Sequence, residues 1–234
     1  KLLRNGFHLV CEKPMTMTVG EAVELEELVA KTGLTFALTH TYTGYPMVRQ
    51  MRDLVASGVL GTIQRIDAQY YQGWINSIIH GTESRITGVW RLDPKHAGVS
   101  SCMGDIGVHA FNLIEYTTGL EIKEILSDLS SVKDDVSLDL DGTVLLRFGK
   151  NLKGVIRASQ VCGGEENAIT LAIYGSKASL KWAQENPNYL YMLSDTEPTR
   201  IYKPAHGYNE KLAEASHTMP SGHREGIYEA LANI

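Results

Sequence analysis

The stretch Gly104-Asp105-Ile106-Gly107-Val108-His109 places a carboxylate four residues before an imidazole. On a helix such a pair faces the same way and lies within mutual reach. An imidazole with a pKa near neutrality moves a proton at physiological pH, and a neighbouring carboxylate orients it or stabilises its charged form. The spacing also suits a plainer arrangement, in which Asp105 caps the helix and His109 is a satisfied, half-buried histidine. A second candidate is Glu12-Lys13-Pro14, where a cation directly follows an apolar run. Proline bends the chain out of a strand and donates nothing to its ladder. Turned into a cleft, Lys13 would hold an oxyanion or hydroxyl and stabilise charge as a C–O bond changes order. Left in solvent, it would pair with Glu12.

Cys102, Asp105, His109 and His96 include the thiolate, carboxylate and imidazole groups that bind zinc. The short paired Cys/His spacings of structural zinc sites are absent, so no metal is expected. Tyr70, Tyr71, Trp74 and Trp90 read either as a sugar-binding wall or as ordinary packing. Gly163-Gly164 follow one strand-like run and precede another, so they make a hairpin and offer no helix N-terminus to a pyrophosphate. His223 and Arg224 open the last amphipathic segment, Arg224 reading as a surface residue and His223 as a residue without an assigned role.

The elements that must position these residues fall into two groups. Residues 7–11 read as a strand buried on both faces. Thr18 and Glu21 form a capping box for a helix with the apolar stripe Ala22, Leu25, Leu28 and Val29, ended by Gly33, and residues 34–38 are the next strand. A strand, crossover helix and strand of this size predict a parallel pair, whose carboxyl ends are where ligands bind. Glu12-Lys13-Pro14 and Thr39-His40 both fall there. After Tyr45-Pro46 comes a helix carrying Val48, Met51, Leu54 and Val55, closed by Gly58, and alternation begins at Thr62. Further strand-like runs at 122–132, 142–148, 152–161, 168–174, 178–183 and 189–193 are separated by Gly, Asn and Pro turns and predict an antiparallel sheet of about six or more strands. A helix over 105–117 interrupts them, with Ile106, Ala110, Leu113 and Ile114 on one stripe. The irregular segment 73–98 has the character of a binding loop or lid. The boundary between the two groups falls at residues 42–46, giving units 1–43 and 44–234.

Composition sets the bounds. Of 234 residues, 43% are apolar and 21% charged, ordinary globular usage that excludes collagenous and disordered classes. Twenty-two bases against 27 acids leave a net charge of −5, without like-charge runs, so no nucleic-acid partner is expected. No apolar run approaches the ~20 residues of a membrane helix. Three scattered cysteines argue for a reducing, cytoplasmic compartment. The chain opens without Met or a secretory pattern and reads like a piece of something larger.

Four segments in this order carry a resemblance: Gly6-Phe7-His8-Leu9-Val10-Cys11-Glu12-Lys13-Pro14, Gly58-Val59-Leu60-Gly61-Thr62-Ile63, Trp90-Arg91-Leu92-Asp93-Pro94 and Gly104-Asp105-Ile106-Gly107-Val108-His109. Nearly the whole chain resembles the Gfo/Idh/MocA oxidoreductases, the glucose-fructose oxidoreductase and inositol dehydrogenase group. The resemblance implies an α+β fold: a remnant of a parallel Rossmann sheet over 1–43, then an open, mainly antiparallel β-sheet covered by helices on one face over 44–234. It implies NAD or NADP as cofactor, a sugar or polyol as substrate, and a homo-oligomer, dimer or tetramer. Lys13 would touch the nicotinamide ribose and the substrate hydroxyl, Glu12 and Pro14 would shape its turn, and His40 would stand on the cofactor side, where the family commonly has Asn and Arg. Asp105 and His109 would form the substrate-side pair, with His109 as general acid/base, and Trp90, Arg91 and His96 would set substrate preference. The chain would lack the fingerprint strand and glycine loop, and alone would be inactive. The rival expectation is a non-catalytic sugar or dinucleotide sensor on the same fold.

Overall fold

A computed structural model describes residues 1–81, 89–216, 220–222 and 231–234. His223 and Arg224, most of the terminal amphipathic segment and part of the irregular segment lie outside the described residues.

The first unit is a parallel pair. Strand β1 (Leu9–Cys11) runs beside β2 (Phe36–Leu38), with Val10 opposite Ala37, and helix α1 (Val19–Thr32) connects them. Both halves of the expected capping box form: Thr18 accepts from the Glu21 N–H, and the Glu21 carboxylate accepts from the Thr18 N–H. Gly33, at φ 64°, ends the helix in the left-handed region. β1 is not buried on both faces, since Val10 is 69% exposed: among the described residues β1 has one strand neighbour, β2, and the α1 stripe is only half-buried.

The second unit is built on one large sheet. Helix α2 (Pro46–Ala56) starts on Pro46, whose fixed φ suits a first helical turn, and leads into β3 (Ile63–Tyr71). The chain then passes through the short helices α3 (Asn76–Ile79) and α4 (Pro94–Ala97) and a π-helical turn at Met103–Gly107 into α5 (Val108–Thr118). It returns as β4 (Glu124–Ser130), β5 (Asp141–Arg147), β6 (Lys153–Ser159), β7 (Ala168–Gly175), β8 (Ser179–Ala183), β9 (Leu190–Leu193) and β10 (Arg200–Tyr202), followed by a helical turn α6 (Lys211–Glu214). The order across the sheet is β10-β9-β8-β7-β3-β6-β5-β4. Only the β3–β6 pairing is parallel, because the chain leaves β3, crosses by α5 and re-enters at the far edge. The expected α+β class and mainly antiparallel sheet are observed, with β10 added.

Period-two alternation explains the packing. Ile66, Ala68 and Tyr70 of β3 point to the same face, and all three are buried with Ile156 of β6 and Ile169, Leu171 and Ile173 of β7. Met47, Val48 and Met51 of α2 and Ala110, Leu113 and Ile114 of α5 cover that face. The opposite face carries Asp67, Arg157 and Lys181 and holds no helix among the described residues. Among the described residues no helix is long and apolar enough to cross a membrane.

Candidate active site

Three segments meet on one carboxylate. Because β1 and β2 are parallel, both carboxyl ends open on the same side, delivering Lys13 and His40 together. The Lys13–Pro14 peptide is cis, and Lys13 reaches across to the second unit. Its Nζ donates to the Asp105 carbonyl at 2.6 Å and to Asp105 Oδ1 at 2.9 Å. Asp105 Oδ2 accepts from Arg91 Nε and from Gln160 Nε2, each at 3.0 Å. Lys13 therefore pairs with Asp105; the solvated Lys13–Glu12 pair is not formed.

The π turn that presents Asp105 is pinned from outside. A helix start leaves backbone N–H groups without intrahelical partners. Here the buried Asp139 carboxylate accepts the N–H of Ser101 at 2.9 Å and of Met103 at 2.7 Å, and its carbonyl accepts that of Cys102. Ser100 Oγ accepts from Gly104. Asp139→Asn leaves one acceptor oxygen for two N–H groups, so a loss of about 1–3 kcal/mol is expected, read as a lower urea midpoint at unchanged slope.

The wider π turn alters the anticipated relation between Asp105 and His109. In an α-helix the two would stack, but π geometry spends more residues per turn, and no hydrogen bond joins them. The Asp105 carboxylate is committed to Lys13, Arg91 and Gln160. His109 is 7% exposed, with the Tyr42 ring edge-on at 4.8 Å, His40 at 5.9 Å and Tyr70 at 6.1 Å between centroids. Burial first, then the charges of Lys13 and His40, push its pKa down to about 3, with Asp105 pulling weakly the other way. Desolvation thus outweighs the carboxylate, and His109 is a neutral imidazole at ordinary pH. Burial and Lys13 also lower the pKa of His40. Nδ1 of both histidines is buried without a hydrogen-bond partner, an arrangement native proteins seldom leave unused.

A cavity of about 410 Å³ opens beside this junction, lined by Lys13, Asp105 and Arg91 together with Tyr70, Gln72 and Trp74. A similar hollow of about 400 Å³ lies over the helix-free sheet face, so chemistry, not size, distinguishes the first. The Arg91 guanidinium lies 4.4 Å from the Trp90 ring and 5.7 Å from the Trp74 ring, contacts that hold its fork toward Asp105.

Of the residues singled out from sequence, Lys13, Asp105 and Arg91 are in contact, and His109 and His40 lie just behind. Glu12 and Pro14 are exposed. His96 does not line the cavity; its exposed ring pairs with Asp93 at 2.8 Å. Among the described residues no group of three or more His, Cys, Asp or Glu is arranged to hold a metal, and burial pushes the Cys102 thiol up, away from the thiolate a metal needs. Gln160 and Asp139 were not anticipated. The available signal was Asp139 between Leu138 and Leu140, since an acid buried in an apolar run demands donors.

Residues 48–181 match the family model described as the GFO/IDH/MocA C-terminal domain, and residues 1–40 the one described as an oxidoreductase family, NAD-binding Rossmann fold. The oxidoreductase YfiI of Bacillus subtilis is 31% identical, covering 99% of this chain and 59% of that protein. A levoglucosan dehydrogenase of Pseudarthrobacter phenanthrenivorans is 25% identical, covering 88% and 59% respectively. The crystal structure of an inositol dehydrogenase homologue complexed with NAD+, from Azotobacter vinelandii, matches with a TM-score of 0.93 at 30% identity, over 99% of this chain and 59% of that one. A structure of an inositol dehydrogenase homologue from the same organism contains NADH and myo-inositol and matches at 29% identity with a TM-score of 0.89. The chain spans about six tenths of the length of these relatives.

Proposed function

Because the chain belongs to the GFO/IDH/MocA family of oxidoreductases, we propose that it supplies the substrate side and the proton-handling groups of an NAD- or NADP-dependent dehydrogenase of sugars or polyols. The observation that carries this reading is the convergence, at one cavity, of an ammonium, a carboxylate and a guanidinium beside a buried neutral imidazole.

The groups suit an alcohol oxidation. Lys13 has three N–H donors and spends two on Asp105. The third is left for a ligand oxygen, where a cation favours developing alkoxide. Asp105 balances that charge and aims the ammonium. His109, neutral and with an unpartnered Nδ1, accepts the hydroxyl proton. It stands one ring behind the cavity wall, and catalytic hydrogen bonds commonly close only when substrate is bound. Arg91 and the indole of Trp74 contact the sugar, while Trp90, outside the cavity lining, acts by stacking on Arg91. The residues at the open ends of β1 and β2 fit a nicotinamide nucleotide, with the charge of Lys13 and the unpartnered Nδ1 of His40 as its holders. When bound, that cofactor supplies the hydride acceptor. Association of copies through the helix-free sheet face belongs to the same reading.

The test is a panel of myo-inositol, levoglucosan, D-xylose and D-glucose incubated with the intact protein and NAD+ or NADP+, followed by nicotinamide absorbance. At least one polyol should be oxidised, and Lys13→Met should lower kcat/KM for it about a hundredfold or more. Binding of a panel member without any nucleotide reduction would mark a sensor and refute the dehydrogenase.

A further inference from the structure

Asn167 sits at the end of the loop joining β6 to β7, and the proposed proton and charge steps do not use it. Its amide nevertheless makes four hydrogen bonds. Oδ1 accepts from Tyr70 Oη at 2.5 Å and from Gln72 Nε2 at 3.0 Å, while Nδ2 donates to Tyr42 Oη at 3.0 Å and to Gln184 Oε1 at 3.2 Å. Those are the two donors and two lone pairs of a primary amide, all engaged.

The direction of each bond is dictated from one end of the network. Trp74 Nε1 only donates, so its partner at 3.1 Å must be Gln72 Oε1. The Gln72 amide nitrogen is then the group turned to Asn167, which must answer with Oδ1. Nδ2 is left to donate to Tyr42 and Gln184, and Gln184 passes the direction on through Nε2 to Tyr45 Oη. Since Oδ1 cannot donate, the Tyr70 proton is committed to it. Tyr42 Oη lies 2.5 Å from Tyr70 Oη and already accepts from Asn167, so its own proton goes to the Tyr70 oxygen. Burial raises both phenol pKa values and keeps these protons in place. Tyr70, one of the residues lining the cavity, thus has no proton to give and one lone pair left.

We propose that Asn167 is a positioning residue that sets the polarity of the substrate cavity: by drawing the Tyr70 proton inward, it makes Tyr70 Oη an acceptor for a second substrate hydroxyl. Lys13 and Arg91 line the same cavity and bring donors, so the cavity selects a ligand with an oxygen to receive hydrogen bonds at one point and a hydroxyl hydrogen at another. This is a polyol bearing a free hydroxyl away from the carbon oxidised, and the proposal rests on the dehydrogenase reading.

The test compares Asn167→Leu with Asn167→Asp, using the panel polyol oxidised fastest and its monodeoxy analogues. N167L removes the acceptor and frees the Tyr70 proton. KM should rise about tenfold, the value of one hydrogen bond, with kcat within threefold and discrimination against one deoxy analogue lost. N167D still accepts from Tyr70, and KM should stay within threefold of the parent. Tyr70→Phe should reproduce the N167L effect, and the two changes combined should not add. An unchanged KM and discrimination in N167L, or the same loss in N167L and N167D, would overturn the proposal. Failure of the dehydrogenase reading shows separately, as no polyol oxidised; the polarity is then read by NMR without substrate. A slowly exchanging tyrosine hydroxyl proton should be present in the parent and absent in N167L, and its absence in the parent refutes the proposal.

Discussion

Replacement of His109 by Asn should lower turnover about a thousandfold while NAD(P) affinity stays within a few-fold. Asn fills much of the same space in the ring cluster of Tyr42, His40 and Tyr70 but has no basic lone pair for the hydroxyl proton. Steady-state kinetics with the preferred polyol and nucleotide binding by fluorescence provide the check; undiminished turnover would remove His109 from the mechanism. The same residue predicts a pH effect on stability. In the fold its pKa is about 3, against 6.5 as the ordinary value. Below pH 6.5 the unfolded chain therefore takes up a proton that the folded chain refuses. Stability from this group is complete above pH 6.5 and drains away as pH falls toward 3, by about 2 kcal/mol at pH 5. H109N lacks that linkage, so its melting temperature should fall less between pH 7 and pH 5 than that of the parent.

What the sequence discloses and what it hides divide along the length of the contacts involved. The α1 capping box spans four residues, and the α2 and α5 stripes repeat over a few turns; each is written locally, and each forms. Lys13 and Asp105 are 92 positions apart, and Gln160 lies 55 beyond Asp105. No periodicity encodes such pairings, and only the order of the motifs hinted that Lys13 and Asp105 converge. The direct Asp105–His109 contact was anticipated from α-helical spacing, which the π turn at Met103–Gly107 does not have. That turn depends on Asp139, a partner outside the helix that supplies acceptors to the N–H groups of Ser101 and Met103. Asn167 was equally hidden, for its role depends on the fixed donor of Trp74, two hydrogen bonds away.

Asp105→Asn should be nearly as damaging to catalysis as loss of His109, and for a different reason. In the parent, two cations and an amide share the two oxygens of one carboxylate. The substitution leaves one accepting oxygen and turns an NH2 group toward either Lys13 or Arg91, both donors. Lys13 keeps its bond to the backbone carbonyl of residue 105, so the lysine stays tethered while its counter-charge disappears. Position and charge are thereby separated. We expect kcat/KM to drop about a hundredfold to a thousandfold. The ion pairs are partly open to water, with side-chain exposures of 17–31%, so the stability cost should be about 1–3 kcal/mol, below that of a fully buried pair. A double-mutant cycle with Lys13→Met decides whether the two residues act as one unit. If they do, K13M and the double variant will be equally slow, because without the ammonium the carboxylate has no alkoxide-stabilising charge left to aim. Full additivity of the two losses would mean that Asp105 acts on the substrate independently of Lys13, and the role assigned to the bridge would fall.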